Sequence, residues 1–355
     1  MSWECLNKYE KGQICVLSDK ILIRHDLWKD ISVLQDCPVL WLDIDETKKS
    51  LDTVSQIWDF LFEHAITRKG VLVCIGGGVL TDLGGFAAAT YKRGIDYINV
   101  PTTLLSMVDA SSGGKTGFNY RGLKNSIGVF APPVDTLIEP AWLTTLSPEQ
   151  FLSGFGEMLK TGLIESTEII VPNGKEYRAQ RADLLWNALL QYDLNTMDIP
   201  SLTPLIHQCL AVKNRIVAED PKETGLRKAL NLGHTFGHAL EENQMVNGKW
   251  ENGKLLHGYA VVYGLIAELY LSVVKLDCPK EPLQQLTRLM LHYYGKPQCK
   301  CSDFDRLITL MQQDKKNEHA ERINCTLIRT IGEPVINQVI SPDEAREAFD
   351  YLFSL

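Results

Sequence analysis

Residues 71–90 read VLVCIGGGVLTDLGGFAAAT. An apolar run meets three glycines, Gly76, Gly77 and Gly78, and then a helix-forming segment. Glycine lets backbone amides come close to a phosphate, and a helix N-terminus favours negative charge there. The strict dinucleotide fingerprint needs a further glycine where Thr81 stands, so phosphate binding and a simple tight turn both remain open on spacing alone. Outward from this stretch the same grammar repeats. QICVLSD (13–19), PVLWLD (38–43) and YINVP (97–101) are short apolar runs ending in turn or polar residues. SLDTVSQIWDFLFEHAI (50–66) has apolar residues at helical spacing. Strands alternating with helices predict a parallel sheet with helices on its faces.

From about residue 150 the character changes. FLSGFGEMLKTGLI (151–164), SLTPLIHQCLAVKNRIVAE (201–219), GYAVVYGLIAELYLSVVKL (258–276) and EPLQQLTRLMLHYYG (281–295) all read as helices. One strand-like piece, INCTLIRTIG (323–332), follows, and NGKWENGK (247–254) reads as a surface loop. The expected fold class is α/β: residues 1–150 form a Rossmann-like α/β domain and residues 151–355 a mainly α-helical one.

The chain has 355 residues, 45% hydrophobic and 23% charged, with net charge −8. This is the balance of an ordinary globular protein, and the negative charge argues against general affinity for nucleic acid or anionic membrane. No apolar run approaching the ~20 residues of a membrane helix was expected, nor a secretory signal in MSWECLNKYEKGQ. Nine scattered cysteines without a zinc-type double pair read as reduced thiols of a cytoplasmic protein.

Two motifs carry polar chemistry in the first half. DASSGGKTG (109–117) ends like a P-loop, but Asp109 occupies the first glycine position, which excludes that reading. What remains is a polar loop with Asp109 and Lys115 at the end of a strand, a usual place for ligand contacts. In the second half, GFGEMLKTG places Glu157 and Lys160 three apart on one helix face. An isolated pair of this kind is commonly a solvated ion pair, but this helix is otherwise apolar. NLGHTFGHALEENQMVNGKWENGKLLHG (231–258) gathers His234, His238 and His257, three of the eight histidines. Glu157, His234 and His257 can supply the three-ligand set of a zinc site with open positions. Each histidine taken alone is more often a hydrogen-bonded structural residue. Lys115, Lys124, Lys160, Lys213, Arg227 and the Lys315–Lys316 pair sit in or beside helix starts and glycine turns. In an acidic protein this placement suggests a pocket for a phosphorylated, carboxylated ligand.

Seven segments together resemble the 3-dehydroquinate synthase family of sugar-phosphate cyclases. They are GGGVLTDLGGFAAATYKRG, VPTTLLSMVDASSGGKTGFN, LKNSIGVF, SGFGEMLKTG, KETGLRKALNLGHTFGHALE, LHGYAVVYG and DKKN, in the family's order over roughly residues 40–335. The resemblance implies conversion of 3-deoxy-D-arabino-heptulosonate 7-phosphate to 3-dehydroquinate and phosphate, a step toward chorismate and the aromatic amino acids. The implied course is transient oxidation by NAD, phosphate elimination, reduction and intramolecular aldol closure. It makes Glu157, His234 and His257 ligands of Zn2+ (or Co2+). Asp109, Lys115, Asn125, Lys160, Lys213, Arg227, Asn231 and His238 match substrate-pocket positions, with Lys315 or Lys316 helping to hold phosphate. Arg93 matches an arginine that reaches the neighbouring subunit's site, which implies a homodimer. For NAD the matches are Gly76, Gly77, Gly78, Asp82, Thr102, Thr103 and Lys124, extended by Trp142, Leu143, Thr144, Thr145, Glu46 and Lys49.

This sequence also departs from the family pattern. The N-terminus is short, which leaves Asp19 of QICVLSD as the ribose-binding candidate. Thr81 replaces a more usual glycine, Tyr259 stands where many members have glutamate, and the interval from His234 to His257 is long. Three rivals are a cyclase acting on another sugar phosphate, a metal-dependent polyol dehydrogenase, and a non-catalytic binding relative. Lys213 with Arg227 disfavours the first, because a substrate without a carboxylate leaves those cations unpaired.

Overall fold

The computed structural model describes residues 3–29, 31–165, 168–170, 176–178, 184–247, 255–297, 301–313 and 322–355. Its internal contacts divide the chain into two compact units, Met1–Ser147 and Pro148–Leu355.

The first unit contains β1 (Ile14–Asp19), α1 (Asp26–Lys29), β2 (Val39–Leu42), α2 (Leu51–Glu63), β3 (Val71–Gly76), α3 (Gly78–Thr90), β4 (Asp96–Pro101), β5 (Lys115–Tyr120), β6 (Leu123–Phe130) and β7 (Asp135–Thr136). Five strands form one parallel sheet in the order β2-β1-β3-β4-β7. β3 lies inside it, with Val73 paired to Val16 on one side and to Ile98 on the other. Every residue of β3 is buried, as a strand covered on both faces requires. Helix α2 turns Val54, Ile57 and Leu61 inward at helical spacing. Gly84 and Gly85 explain the double glycine in α3. A Cβ on Gly84 would run into the Cys74 sulfur, and one on Gly85 would sit 2.5 Å from the Thr116 methyl. Only glycine lets α3 lie this close to β3 and β5.

The chain runs from β1 outward to β2, then returns to the other side of β1 for β3. Sheets of this kind bind ligands outside the strand C-termini where the order reverses. Asp19 ends β1, and Gly76–Gly78 join β3 to α3, so both candidates stand at that switch point. The β5–β6 hairpin was not anticipated. Its two antiparallel strands lie outside the main sheet, and β6 is exposed along nearly its whole length.

The second unit contains α4 (Pro148–Ile164), β8 (Glu168–Ile170), β9 (Glu176–Arg178), α5 (Leu184–Gln191), α6 (Ile199–Glu219), α7 (His234–Asn247), α8 (His257–Leu276), α9 (Lys280–Leu289), α10 (Phe304–Gln313), β10 (Ile323–Ile328), β11 (Pro334–Ile340) and α11 (Pro342–Ser354). The strand-like piece near the end is not single. β10 pairs with β11 as an antiparallel hairpin, since a lone strand leaves its backbone groups unsatisfied. Helix α8 packs against α4, α7, α11 and β10. It corrects the expectation about membrane-length segments: its 20 residues are long and apolar enough to span a bilayer, but 67% of that window is buried inside the unit. The loop proposed at NGKWENGK falls, from position 248, outside the described residues.

Candidate active site

Three helices of the second unit meet through glycines. A Cβ on Gly156 of α4 would sit 2.5 Å from the Gly258 carbonyl oxygen, and one on Gly237 of α7 would sit 2.9 Å from that of Ala260. A Cβ on Gly258 would overlap the Ser153 carbonyl, and one on Gly264 that of Gly233. The backbones of α4, α7 and α8 therefore approach more closely than side chains would allow. Glu157 lies in the middle of α4, while His234 and His257 are the first residues of α7 and α8.

This approach brings the three side chains together. One donor atom from each of Glu157, His234 and His257 lies within 4.8 Å of the others. His257 Nε2 is 3.2 Å, and His234 Nε2 3.4 Å, from the same oxygen, Glu157 Oε1. Donors about 2.0–2.1 Å from a tetrahedral ion stand roughly 3.4 Å apart, so these separations fit a divalent metal such as zinc. The remaining ring nitrogens are fixed from behind. His257 Nδ1 lies 3.2 Å from Glu241 Oε2, and His234 Nδ1 3.1 Å from the Leu232 carbonyl. Each leaves Nε2 as the inward donor, as metal-ligating histidines require.

Lys160 pairs with the other oxygen of Glu157. Both residues are 1% exposed, which rules out the solvated ion pair that an isolated E-x-x-K suggests. Burial pushes Glu157 upward, but the ammonium of Lys160 and the His234 imidazole outweigh it and hold the carboxyl well below the usual range. Burial pulls His234 down to about 4 against the opposing pull of Glu157. Burial would also lower His257, yet bonds to Glu157 and Glu241 raise it to about 10. Glu157 thus stays anionic and His234 neutral, as metal coordination demands, whereas His257 between Glu157 and Glu241 holds a proton that a bound ion would have to displace.

The His234 segment is held by a residue that sequence reading missed. Glu268 of α8, fully buried, accepts from the backbone N–H of Gly233 at 2.5 Å and of Thr235 at 3.2 Å. It thereby satisfies orphan donors at the start of α7. Glu241 and Glu223 were missed as well. Glu223 accepts from Asn231 Nδ2 at 2.8 Å. The E-x-x-x-x-x-x-x-N spacing carries no helical signal that could have linked that pair, because a loop makes the connection.

The other candidates of this unit lie close along the chain or fold. His238 stands one turn after His234, with ring centroids 5.3 Å apart, and 6.1 Å from the His257 ring. Arg227 and Asn231 lie on the 3-10 turn Leu226–Asn231 that leads into α7, and Lys213 is buried on α6. Lys315 and Lys316 lie outside the described residues. Tyr259 packs edge-on against Tyr294, with centroids 4.9 Å apart.

In the first unit, the glycine turn meets the chain that follows β4. Thr102 N–H donates to the Gly76 carbonyl at 3.0 Å. A Cβ on Gly77 would touch the Thr103 methyl at 3.2 Å, and one on Gly78 would meet Ala110 at 2.9 Å. Asp109 lies within Ser106–Ala110, a wide helical turn rather than the expected irregular loop. Lys49 reaches Asp82 of α3 at 2.5 Å, a buried ion pair. Glu46 accepts from Asn119 Nδ2 at 2.8 Å, and the Asn125 N–H donates to Asn119 Oδ1 at 2.8 Å. Asn119 thus ties the Glu46–Lys49 segment to the β5–β6 hairpin that carries Lys115, Lys124 and Asn125. Trp142 and Leu143 are buried in the turn Pro140–Thr145, which also holds Thr144 and Thr145, and the Trp142 ring lies 5.7 Å from His25. Arg93 is exposed on a turn where it and Lys92 both adopt left-handed φ, 69° and 47°. Asp19 folds back to accept from the Ile21 N–H at 3.1 Å.

With this geometry in place, comparison with known proteins is decisive. The family profile for the 3-dehydroquinate synthase N-terminal region matches residues 39–153, and that for the C-terminal region matches 154–317. A 3-dehydroquinate synthase of Parabacteroides distasonis is 42% identical over 344 residues, 97% of this chain and 92% of that protein. The chain belongs to the 3-dehydroquinate synthase family. A family member from Clostridium tetani is 33% identical over 305 residues, 86% of this chain and 76% of that one. Among solved structures, 2-epi-5-epi-valiolone synthase from Streptomyces hygroscopicus, with NAD+ and Zn2+ bound, superposes with TM-score 0.79. It is 24% identical, over 96% of this chain and 91% of that one. 2-Deoxy-scyllo-inosose synthase with carbaglucose-6-phosphate, NAD+ and Co2+ gives TM-score 0.78 at 22% identity, over 97% and 92% of the two chains. These two likenesses show that the chain shares its fold with both enzymes.

Proposed function

We propose that this chain is a working 3-dehydroquinate synthase that uses NAD and a divalent metal ion. It converts 3-deoxy-D-arabino-heptulosonate 7-phosphate to 3-dehydroquinate and phosphate. The observation that carries the reading is the convergence of Glu157, His234 and His257 in a chain of which 97% aligns with a member of this family. Bound NAD supplies a hydride acceptor that later returns the hydride, and the bound ion supplies Lewis acidity at substrate oxygens.

The chain's own residues divide the remaining work. Glu157, His234 and His257 hold the ion, and Glu241 and the Leu232 carbonyl orient the two imidazoles. Lys160 offsets the charge of Glu157 and, beside the metal ligands, stabilises negative charge that develops on substrate oxygen. Arg227 and Lys213 pair with the substrate carboxylate. By resemblance to the family, Asn231, His238, Lys115, Asn125 and one of Lys315 and Lys316 are the phosphate-binding residues. Asp109 orients a substrate hydroxyl. In the first unit, Gly76–Gly78 at the switch point, with Thr102 and Thr103, would receive the pyrophosphate of NAD. Asp19, Glu46, Lys49, Asp82, Lys124 and Trp142–Thr145 surround the rest.

The assembly is a homodimer in which Arg93 serves the partner's site. The exposed left-handed turn that carries Arg93 and, separately, exposed Leu123, Ile127 and Phe130 on β6 support this reading. The setting is the cytoplasm, consistent with the buried thiols Cys15 and Cys74.

A phosphate-release assay on the heptulosonate phosphate, with NAD and with or without a chelator, tests the reading. Release that a chelator abolishes, without NADH accumulating at 340 nm, is the expected result. Net NADH from a simple alcohol would point to a polyol dehydrogenase instead. Activity only on sugar phosphates lacking a carboxylate would point to another cyclase.

A further inference from the structure

Helix α6 ends at Glu219, and the chain must turn through PKETG (221–225) to reach the 3-10 turn that carries Arg227. That turn closes on one side chain. Asp220 Oδ1 accepts from the Thr224 N–H at 3.0 Å and the Thr224 hydroxyl at 3.2 Å. Asp220 Oδ2 accepts from the N–H groups of Gly225 at 2.7 Å and Arg227 at 3.1 Å. The Asp220 carbonyl takes a further bond from the Glu223 N–H at 3.3 Å. All these donors lie ahead in the chain. The carboxylate therefore does not cap α6; it is the hub of the following loop.

The same loop grips Arg227 at its far end, where Nη1 donates to the Pro221 carbonyl at 2.7 Å. Arg227 is thus held at both backbone and guanidinium, and it is 2% exposed. Glu223 sits at φ 59°, a left-handed conformation that a non-glycine residue keeps only when its surroundings impose it. The side chain it presents is bonded by Asn231. Burial pushes the Asp220 carboxyl up, but the four donors outweigh it and draw its pKa down to about 2, so the hub stays anionic throughout the neutral range.

We propose that Asp220 is a positioning residue for the anion pocket: by closing the 220–227 loop it fixes Arg227, and so sets affinity for the substrate's carboxylate without touching substrate. This rests on the reading of Arg227 as the carboxylate's partner. The metal ligands reside on other elements, and the Asp220 carboxylate bonds Thr224, Gly225 and Arg227 rather than Asn231, so its loss falls first on Arg227.

The test uses the full chain with saturating zinc and NAD, measuring phosphate release. The substrate with hydroxymethyl in place of the carboxylate, 3-deoxy-D-arabino-hept-2-ulose 7-phosphate, serves as competitive inhibitor. Asp220→Ala raises KM for the heptulosonate phosphate by about 10- to 100-fold, the effect of a misplacement near 1 Å, with kcat changed less than about threefold. The Ki of the carboxylate-free inhibitor and the zinc content stay at wild-type values. In an Arg227→Ala background, Asp220→Ala adds little, because the two act through one contact. Asp220→Asn keeps one acceptor oxygen and the side-chain volume; it gives an intermediate KM and keeps the test open should Asp220→Ala not fold. Unchanged KM in both variants overturns the proposal. So does a parallel rise of KM and Ki, which would mark general distortion. A wild-type KM in Arg227→Ala alone would instead remove the carboxylate reading itself.

Discussion

Replacing Glu268 with glutamine isolates the device that holds His234. The wild-type carboxylate receives two buried backbone donors, Gly233 N–H and Thr235 N–H, one on each side of the ligand. Glutamine keeps one acceptor oxygen and points an NH2 group at the other donor. An orphaned buried donor costs about 1–3 kcal/mol, and loss of charge assistance on the surviving bond adds roughly 1 kcal/mol. The variant is therefore destabilised by about 2–4 kcal/mol. For a unit the size of Pro148–Leu355, this is a fall in Tm of roughly 5–15 °C. The His234 imidazole also loses its fixed direction, so zinc affinity, measured by competition with a chromogenic chelator, falls about 10- to 100-fold. The Glu268 carboxylate, carried by α8, faces the start of α7, where the helix dipole offsets part of its burial, so neutralising it recovers only a reduced desolvation cost. A Tm within about 2 °C of wild type together with unchanged zinc affinity would refute the reasoning.

Other perturbations separate the remaining roles. His257→Ala abolishes zinc binding and activity while the far-UV circular dichroism persists; a stoichiometric ion in that variant would sink the ligand assignment. Lys160→Ala retains zinc but loses kcat by about 10²–10³-fold, as expected for removal of one buried stabilising charge. Wild-type turnover there would show that the ammonium only neutralises Glu157. Gly258→Ala drives a Cβ into the Ser153 carbonyl and costs about 2–4 kcal/mol by overpacking, read as a lower Tm and weaker zinc binding. Asp220 has a folded pKa near 2 against an ordinary 3.8. A depressed carboxylate contributes stability above its unfolded pKa and loses it as pH falls through the folded one. The stability gap between wild type and Asp220→Asn, followed by urea unfolding, is therefore constant above about pH 5 and closes between about pH 4 and 2. A gap that closed at pH 6 would point to another group.

Much of this protein is written in local chemistry. The continuous apolar run of β3, its glycine turn and the 3.6-residue spacing of α2 need only neighbouring residues to be understood. For the same reason a parallel sheet followed by a helical unit was foreseeable, as was the order of the motifs. Glu157 with Lys160, and His234 with His238, were likewise visible as pairs on single helices. Antiparallel hairpins were not. β5–β6 and β10–β11 are defined by pairing between strands, and β6, exposed along almost its whole length, lacks the one-sided alternation that announces a half-buried strand.

The residues that tune the site were hidden for a physical reason of the same kind. Glu241 acts on His257 from sixteen positions away and Glu268 on Gly233 from thirty-five. Glu241 only closes the segment KETGLRKALNLGHTFGHALE and Glu268 lies in no motif; the role of each depends on a backbone approach set by glycines on α4, α7 and α8. Sequence alone determined which residue types were available and which elements they ride on. The tertiary structure decided which of them meet. Three donor atoms become one metal site only when helix backbones cross closer than any side chain permits, and that distance is a property of the packed helices together.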